Sequence, residues 1–265
     1  MTKENGPLIT TIIPTYRRPK LLKRAIFSVL NQTYPNFQIC VYDNASGDKT
    51  AETVRELAKK DSRIKYYCHL KNIEGKNFNF GLSKVNTPYF SIFSDDDILL
   101  PNFYEEAIKG FKKYPEAGFV ATQTIIATKK QIKRISCEGY EEKLYNPPEG
   151  LIKMSDCGAP TWTGILFRRE IIKEVGLLDE KIGGPSDTDF LLRSASILPF
   201  VILKSPGAIF LVHKLSSCST WSEVEPLSGY KKILEKIKHN EKISASARLA
   251  VYQNLRKRIV NILWQ

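Results

Sequence analysis

Short apolar runs alternate with amphipathic stretches through the first hundred residues, which predicts a chain of repeated strand–helix units. LITTII (8–13) is an apolar run closed by Pro14. PKLLKRAIFSVLNQ follows, with Pro19 where helices favour a proline and Leu22, Ala25, Ile26, Val29 and Leu30 on one side. FQICVY (37–42) is a second strand, closed by the turn formers DNASGD, and Asp48 reads as the N-cap of KTAETVRELAKK. IKYYC (64–68), a helix near 77–85, the buried strand YFSIF (89–93) and a helix opening at Pro101 complete the series. Units of this length imply a mostly parallel sheet covered on both faces, in which ligands bind beyond the carboxyl ends of the strands. Three polar clusters, PTYRR, DNASGD and SDDD, fall at those ends.

The pattern changes after residue 118. GFVATQTIIATKKQIKRIS reads as extended chain, and YNPPEGLIKMSDCGAPTWTG as a long irregular connection. GILFRREIIKEVGLLDE is strand then helix, SDTDFLLRSAS a helix start, and FVILKSPGAIFLVH two further strands. From 222 onward the chain reads as helical, with Val251, Leu255, Ile259 and Ile262 on one stripe and Arg256, Lys257 and Arg258 off it. The expected division is one α/β domain over 1–220, its first half ending near 118 and its second covering 119–220. A basic helical extension over 221–265 follows; it reaches Trp264-Gln265 without a capping signal, as a chain that continues would.

Charge adds one feature. The chain carries a net +12, of which +7 lies between Gly229 and Gln265, where nine basic residues face Glu235 and Glu241. Such a segment is either a solvated helix with a core-facing stripe or a patch for an anionic membrane surface. The positive excess is not interleaved with aromatics on a sheet, which argues against a nucleic-acid binder. No run of residues reaches membrane-spanning length, and the start lacks a secretory pattern. Five scattered cysteines, with no C-x-x-C pair, read as reduced thiols of a cytoplasmic protein.

Three adjacent carboxylates, Asp95, Asp96 and Asp97, directly follow the apolar run PYFSIF. Carboxylates beside buried residues need a cation or strong donors in return. One reading is a hard divalent ion shared with phosphate oxygens; the other is an acid-rich helix start before Pro101. Asp187 carries the same ambiguity: Ser186 or Asp187 caps the helix TDFLLRSA, or the carboxylate serves chemistry.

The ordered set TIIPTYRRPKLLKRAIFSVLNQTYPNFQICVYDNASGDKT, SDDDILLP, GILFRREIIKEVGLLDE, SDTDFLLR and LVHKLSSCS resembles the family 2 glycosyltransferases, inverting enzymes of the GT-A fold, over about residues 8–220. By that resemblance Pro14, Thr15, Tyr16 and Arg18 belong to the first nucleotide-contacting loop. Asp43 accepts a hydrogen bond from a uracil or thymine imide, with Asn44 where many relatives have a second acid. Lys76 and Asn77 contact the diphosphate or base. Ser94 replaces the usual first acid of the Asp-x-Asp-Asp motif, Asp95 reaches the ribose or substitutes for that acid, and Asp96 is the direct metal ligand. Asp97 belongs to the same metal site and orients it, and His213 reaches the metal or the diphosphate. Asp187 is the catalytic base, Asp189 its supporting acid, and Trp162 stacks on an acceptor sugar. The resemblance implies Mn²⁺ or Mg²⁺ and transfer from a UDP- or dTDP-sugar to a hydroxyl of a glycan or lipid-linked acceptor. It places the protein in bacterial surface polysaccharide assembly, in the cytoplasm or on the inner membrane face. A sugar-phosphate nucleotidyltransferase is the rival, but PTYRRPKLL is not the Gly-rich, lysine-containing signature such an enzyme carries after its first strand.

Overall fold

A computed structural model of the protein describes residues 6–213 and 224–263. Cys218, most of the LVHKLSSCS segment, the Ile262 side chain and Trp264-Gln265 lie outside the described residues. Ten strands form one mixed sheet: β1 (Ile9–Thr15), β2 (Phe37–Asp43), β3 (Ile64–Cys68), β4 (Tyr89–Ile92), β5 (Ile98–Leu99), β6 (Phe119–Ala127), β7 (Ile132–Ile135), β8 (Lys143–Tyr145), β9 (Ile165–Arg168) and β10 (Phe200–Leu211). The order is β3-β2-β1-β4-β9-β6-β10-β5, with β7 beside β6 and β8 beside β10. The β3-β2-β1-β4 half is parallel throughout, as the strand–helix repeat predicts. In the other half β9 runs antiparallel between β4 and β6, while β6 and β10 are parallel.

Helices cover both faces. On one side lie α1 (Pro19–Leu30), α2 (Thr50–Lys60) and α4 (Phe103–Lys113). On the other lie α3 (Lys76–Ser83), α5 (Glu149–Cys157), α6 (Glu170–Val175), α7 (Ser186–Ala195) and two C-terminal helices, α8 (Val224–Lys238) and α9 (Ala245–Leu263). The faces follow from side-chain alternation: Ile9 and Ile13 of β1 pack with Leu22, Ile26 and Phe103, whereas Ile12 packs with Leu82, Phe90 and Phe167.

Three sequence expectations change. The stretch read as an irregular connection contains α5, which opens right after Pro147 and Pro148. FVILKSPGAIFL is one twelve-residue strand, bent by register shifts at Pro206 where proline cannot donate to the ladder, rather than two strands. Asp48 accepts from the Thr50 N–H at 2.9 Å, but Lys49 holds the cap position of α2.

The C-terminal helices belong to the same core as the sheet. Ile233, Ile237, Val251 and Leu255 are buried in one cluster with Phe167, Phe190 and Phe200. Gly229 of α8 lies so close to the chain before α7 that an added Cβ would fall 2.6 Å from the Ile182 carbonyl and from Pro185. Asp189, fully buried in α7, joins Arg193 Nε at 2.8 Å and Lys236 Nζ at 2.7 Å, and Lys236 also reaches Asp179 at 3.0 Å. That network ties α8 to α7. Among the described residues no helix is long and apolar enough to cross a membrane.

Candidate active site

The parallel strands deliver three loops to one sheet edge. After β1, Thr15 donates its hydroxyl to Asp95 Oδ2 at 2.7 Å, and Arg18 Nη1 donates to Asp95 Oδ1 at 3.3 Å and to Asp96 Oδ2 at 3.0 Å. Arg17, in the left-handed region at φ 54°, bonds Ser46 through its N–H and its Nε, and so couples the first loop to the second. Tyr16 is partly exposed, with the Arg17 guanidinium 5.0 Å from its ring centre. Pro14 is the penultimate residue of the fully buried β1.

The three carboxylates after β4 diverge. Asp95 uses both oxygens on Thr15 and Arg18; burial pushes its carboxyl up to about 6 against those donors. Asp97, wholly buried, accepts from the Thr163 hydroxyl and from the Leu211 N–H at 3.0 Å, and burial lifts it to about 7. Asp97 therefore ties the sheet to the 3₁₀ turn Trp162–Gly164, and both its oxygens are spent on protein donors; as a metal ligand it is corrected to a scaffold residue. Asp96 is the carboxylate that faces the cavity. Its Oδ2 meets Arg18 and the His213 Nε2 at 2.9 Å, while Arg24 donates to its main-chain carbonyl.

That cavity, about 1130 Å³, is lined by Glu74–Lys76 and Asn79, by Ser94 and Asp96, by Gly158–Thr163 and Gly183–Thr188, and by Tyr230, Leu255 and Arg258 of the C-terminal helices. Lys76, Asp96, Trp162 and Asp187 thus share one space; Arg18 and His213 bond Asp96 at its edge, and Thr15 and Asp95 stand behind Arg18 without lining the cavity. Asp187 sits in the first turn of α7, solvent-accessible from the cavity, and accepts from the Thr188 N–H at 2.6 Å. Protein crowded around it raises its carboxyl above the usual range, against the Thr188 bonds.

Four further residues depart from expectation. Asp43 is buried and already accepts from Ser46 N–H at 3.0 Å, Ser46 Oγ at 2.5 Å and Tyr66 Oη at 2.5 Å. It organises the second loop and presents no free face to a base. Asn77 is likewise buried, donating to the Tyr42 carbonyl at 2.8 Å and meeting His69 at 2.9 Å. Asp189 faces the Arg193–Lys236 network and does not line the cavity. Trp162 packs against Phe167 and Phe190 with centroids 5.3 and 5.5 Å apart and is 8% exposed, so most of the indole serves the core and only part of it reaches the cavity. Tyr230 and Arg258 were missed as site residues. The available signal was spacing: Arg258, read as lying off the apolar stripe, is seven residues after Val251 and three after Leu255, which puts it on the same helix face.

The donor set suits a shared ion. Asp96 and His213 offer one carboxylate and one imidazole, and among the described residues no group of three or more His, Cys, Asp or Glu is arranged to hold a metal alone. Mg²⁺ and Mn²⁺ commonly complete such sparse protein shells with phosphate oxygens and water.

A mostly parallel central sheet flanked by helices, with acidic loops at one edge, matches the GT-A fold. The chain belongs to glycosyl transferase family 2, whose model matches residues 10–176, more than half of its length. It is 38% identical over 96 residues to the GalNAc(5)-diNAcBac-PP-undecaprenol beta-1,3-glucosyltransferase of Campylobacter jejuni, covering 36% of this chain and 31% of that one. The chain thus spans about a third of the length of that relative. Its fold is similar to S. aureus TarS 1-349 in complex with UDP-GlcNAc, with TM-score 0.76, 15% identity, and 96% and 72% of the two chains covered. It is also similar to the mannosyltransferase PcManGT of Pyrobaculum calidifontis in complex with GDP-Man and Mn²⁺, with TM-score 0.69, 17% identity, and 96% and 71% covered. At such identities these two likenesses show the fold.

Proposed function

We propose that this chain is a metal-dependent, inverting glycosyltransferase that moves a sugar from a UDP- or dTDP-sugar to a hydroxyl of a lipid-linked glycan. The observation that carries the reading is that Asp96, on the loop after β4, and Asp187, in the first turn of α7, line the same cavity although distant in sequence. The lipid-linked acceptor is favoured by the Campylobacter relative, named for a diphosphate-linked undecaprenol substrate.

In this reading the Thr15–Arg18 loop and Lys76 receive the nucleotide diphosphate. Asp187 accepts the proton of the acceptor hydroxyl as that oxygen bonds the anomeric carbon and the bond from that carbon to the diphosphate oxygen breaks. Its raised proton affinity makes it a better base than an ordinary carboxylate, and a placed base contributes about 10²- to 10⁴-fold. A divalent ion, when held by Asp96 and His213, neutralises charge on the departing diphosphate. Arg18 already bonds Asp96, so a cationic side chain stands at the same place.

A thermal-shift panel of UDP, dTDP, GDP and their sugars, each with and without Mn²⁺, tests the donor half. Stabilisation by UDP or dTDP that requires Mn²⁺ is expected. Equal response to every nucleotide, or none to any, would overturn the assignment.

A further inference from the structure

The cavity continues beyond the carboxylates onto a wall that the family match does not reach. That match ends at residue 176, whereas Tyr230 of α8 and Leu255, Arg258 and Ile259 of α9 come from later in the chain. Arg258 is half-buried on this wall. Its Nη1 donates to the Asp156 carbonyl at the end of α5 at 2.9 Å, and its guanidinium lies against Gly158. Gly158 stands at φ +94°, and a Cβ there would fall 2.6 Å from Nη2, so the close approach requires glycine. Tyr140 in turn holds the Gly158 carbonyl at 2.6 Å.

The guanidinium is therefore positioned by backbone and has no carboxylate partner among the described residues. The same cavity is lined by the apolar Met154 of α5 and by Leu255 and Ile259 of α9. Tyr230 lines the same cavity, near enough to feel the charges of both Asp187 and Arg258. An oriented planar cation beside an apolar wall suits a bidentate oxyanion carried on a hydrocarbon.

Resting on the glycosyltransferase reading, we infer that Arg258 is the acceptor-specificity residue of this cleft, receiving the phosphate or diphosphate of a prenyl-linked acceptor while the α5–α9 wall takes its apolar part. The neighbourhood of Asp187 then holds the acceptor sugar, and α8 and α9 supply the selectivity that the nucleotide half lacks.

Calorimetry on the full chain saturated with UDP and Mn²⁺, which fills the donor end, tests this with farnesyl diphosphate, pyrophosphate and farnesol as probes. Arg258→Gln keeps a donor for the Asp156 carbonyl while removing the charge, and Arg258→Lys keeps the charge while removing the fork; melting temperatures verify that both fold. Farnesyl diphosphate is expected to bind the wild type about tenfold or more tightly than it binds Arg258→Gln, consistent with loss of a charged hydrogen bond. Farnesol should bind weakly to both, and UDP affinity should be the same in both. Equal farnesyl diphosphate affinity in wild type and Arg258→Gln, or farnesol binding as tight as the diphosphate, would overturn the inference. Pyrophosphate binding as tight as farnesyl diphosphate would overturn the prenyl part. Absence of UDP binding by the wild type would instead defeat the donor reading, and the Arg258 comparison is then made without nucleotide.

Discussion

Replacing Asp189 by alanine separates a structural carboxylate from a catalytic one. Asp189 is 2% exposed and accepts charge-assisted bonds from Arg193 Nε at 2.8 Å and Lys236 Nζ at 2.7 Å. Removing one member of a buried ion pair typically costs about 3–5 kcal/mol, because the remaining charge is stranded. Here the cations are not stranded: Arg193 also donates to the Val175 and Leu177 carbonyls, and Lys236 keeps Asp179. Both cationic side chains are also a quarter to a third open to solvent, at 24% and 36%. The expected loss is therefore about 2–3 kcal/mol. Urea unfolding followed by circular dichroism at neutral pH measures it, with nucleotide affinity determined on the folded variant well below its melting temperature. A stability change within about 0.5 kcal/mol, the size of an ordinary surface substitution, would refute the network as the tie between α7 and α8. Full stability with lost turnover would return Asp189 to the acceptor site.

Other expectations follow from the same geometry. Gly158→Ala combines a backbone at φ +94° with a contact 2.6 Å from Arg258, and should destabilise by about 1–3 kcal/mol by thermal denaturation; a neutral result would show that the guanidinium is free to withdraw. The acid limb of the kcat/KM profile should reflect Asp187. Its folded carboxyl is raised, so the base form is lost as pH falls at values above the ordinary carboxylate pKa of about 3.9; a limb at or below that value would contradict the raised carboxyl.

The nucleotide half was legible because its strands are continuous apolar runs and each ends at a polar loop, so direction alone sends 15–18, 44–48 and 94–97 to one edge. Side-chain direction within those loops was not legible. Asp187 and Asp189 look equivalent in SDTDF, yet two residues along a helix rotate a side chain by about 200°, sending one to the cavity and the other to α8. Asp95, Asp96 and Asp97 are consecutive, and only the donors contributed by distant Thr15, Thr163 and Leu211 decide which remains available. Asp43 was read as a ligand acceptor because nothing in DNASGD announces that Tyr66, from the neighbouring strand, already occupies it. The basic extension was split between solvent and membrane on charge alone. Its place against α5 and α7 depends on Gly229 and Gly158, whose missing side chains allow close backbone approach.

Turnover by Asp187→Asn tests the account most directly. With the nucleotide sugar that stabilises the protein as donor and a prenyl-diphosphate-linked sugar as acceptor, the variant should bind nucleotide as the wild type does. It should release nucleotide product about 10²- to 10⁴-fold more slowly. Wild-type turnover in Asp187→Asn would mean that the carboxylate facing Asp96 across the cavity does not take the acceptor's proton.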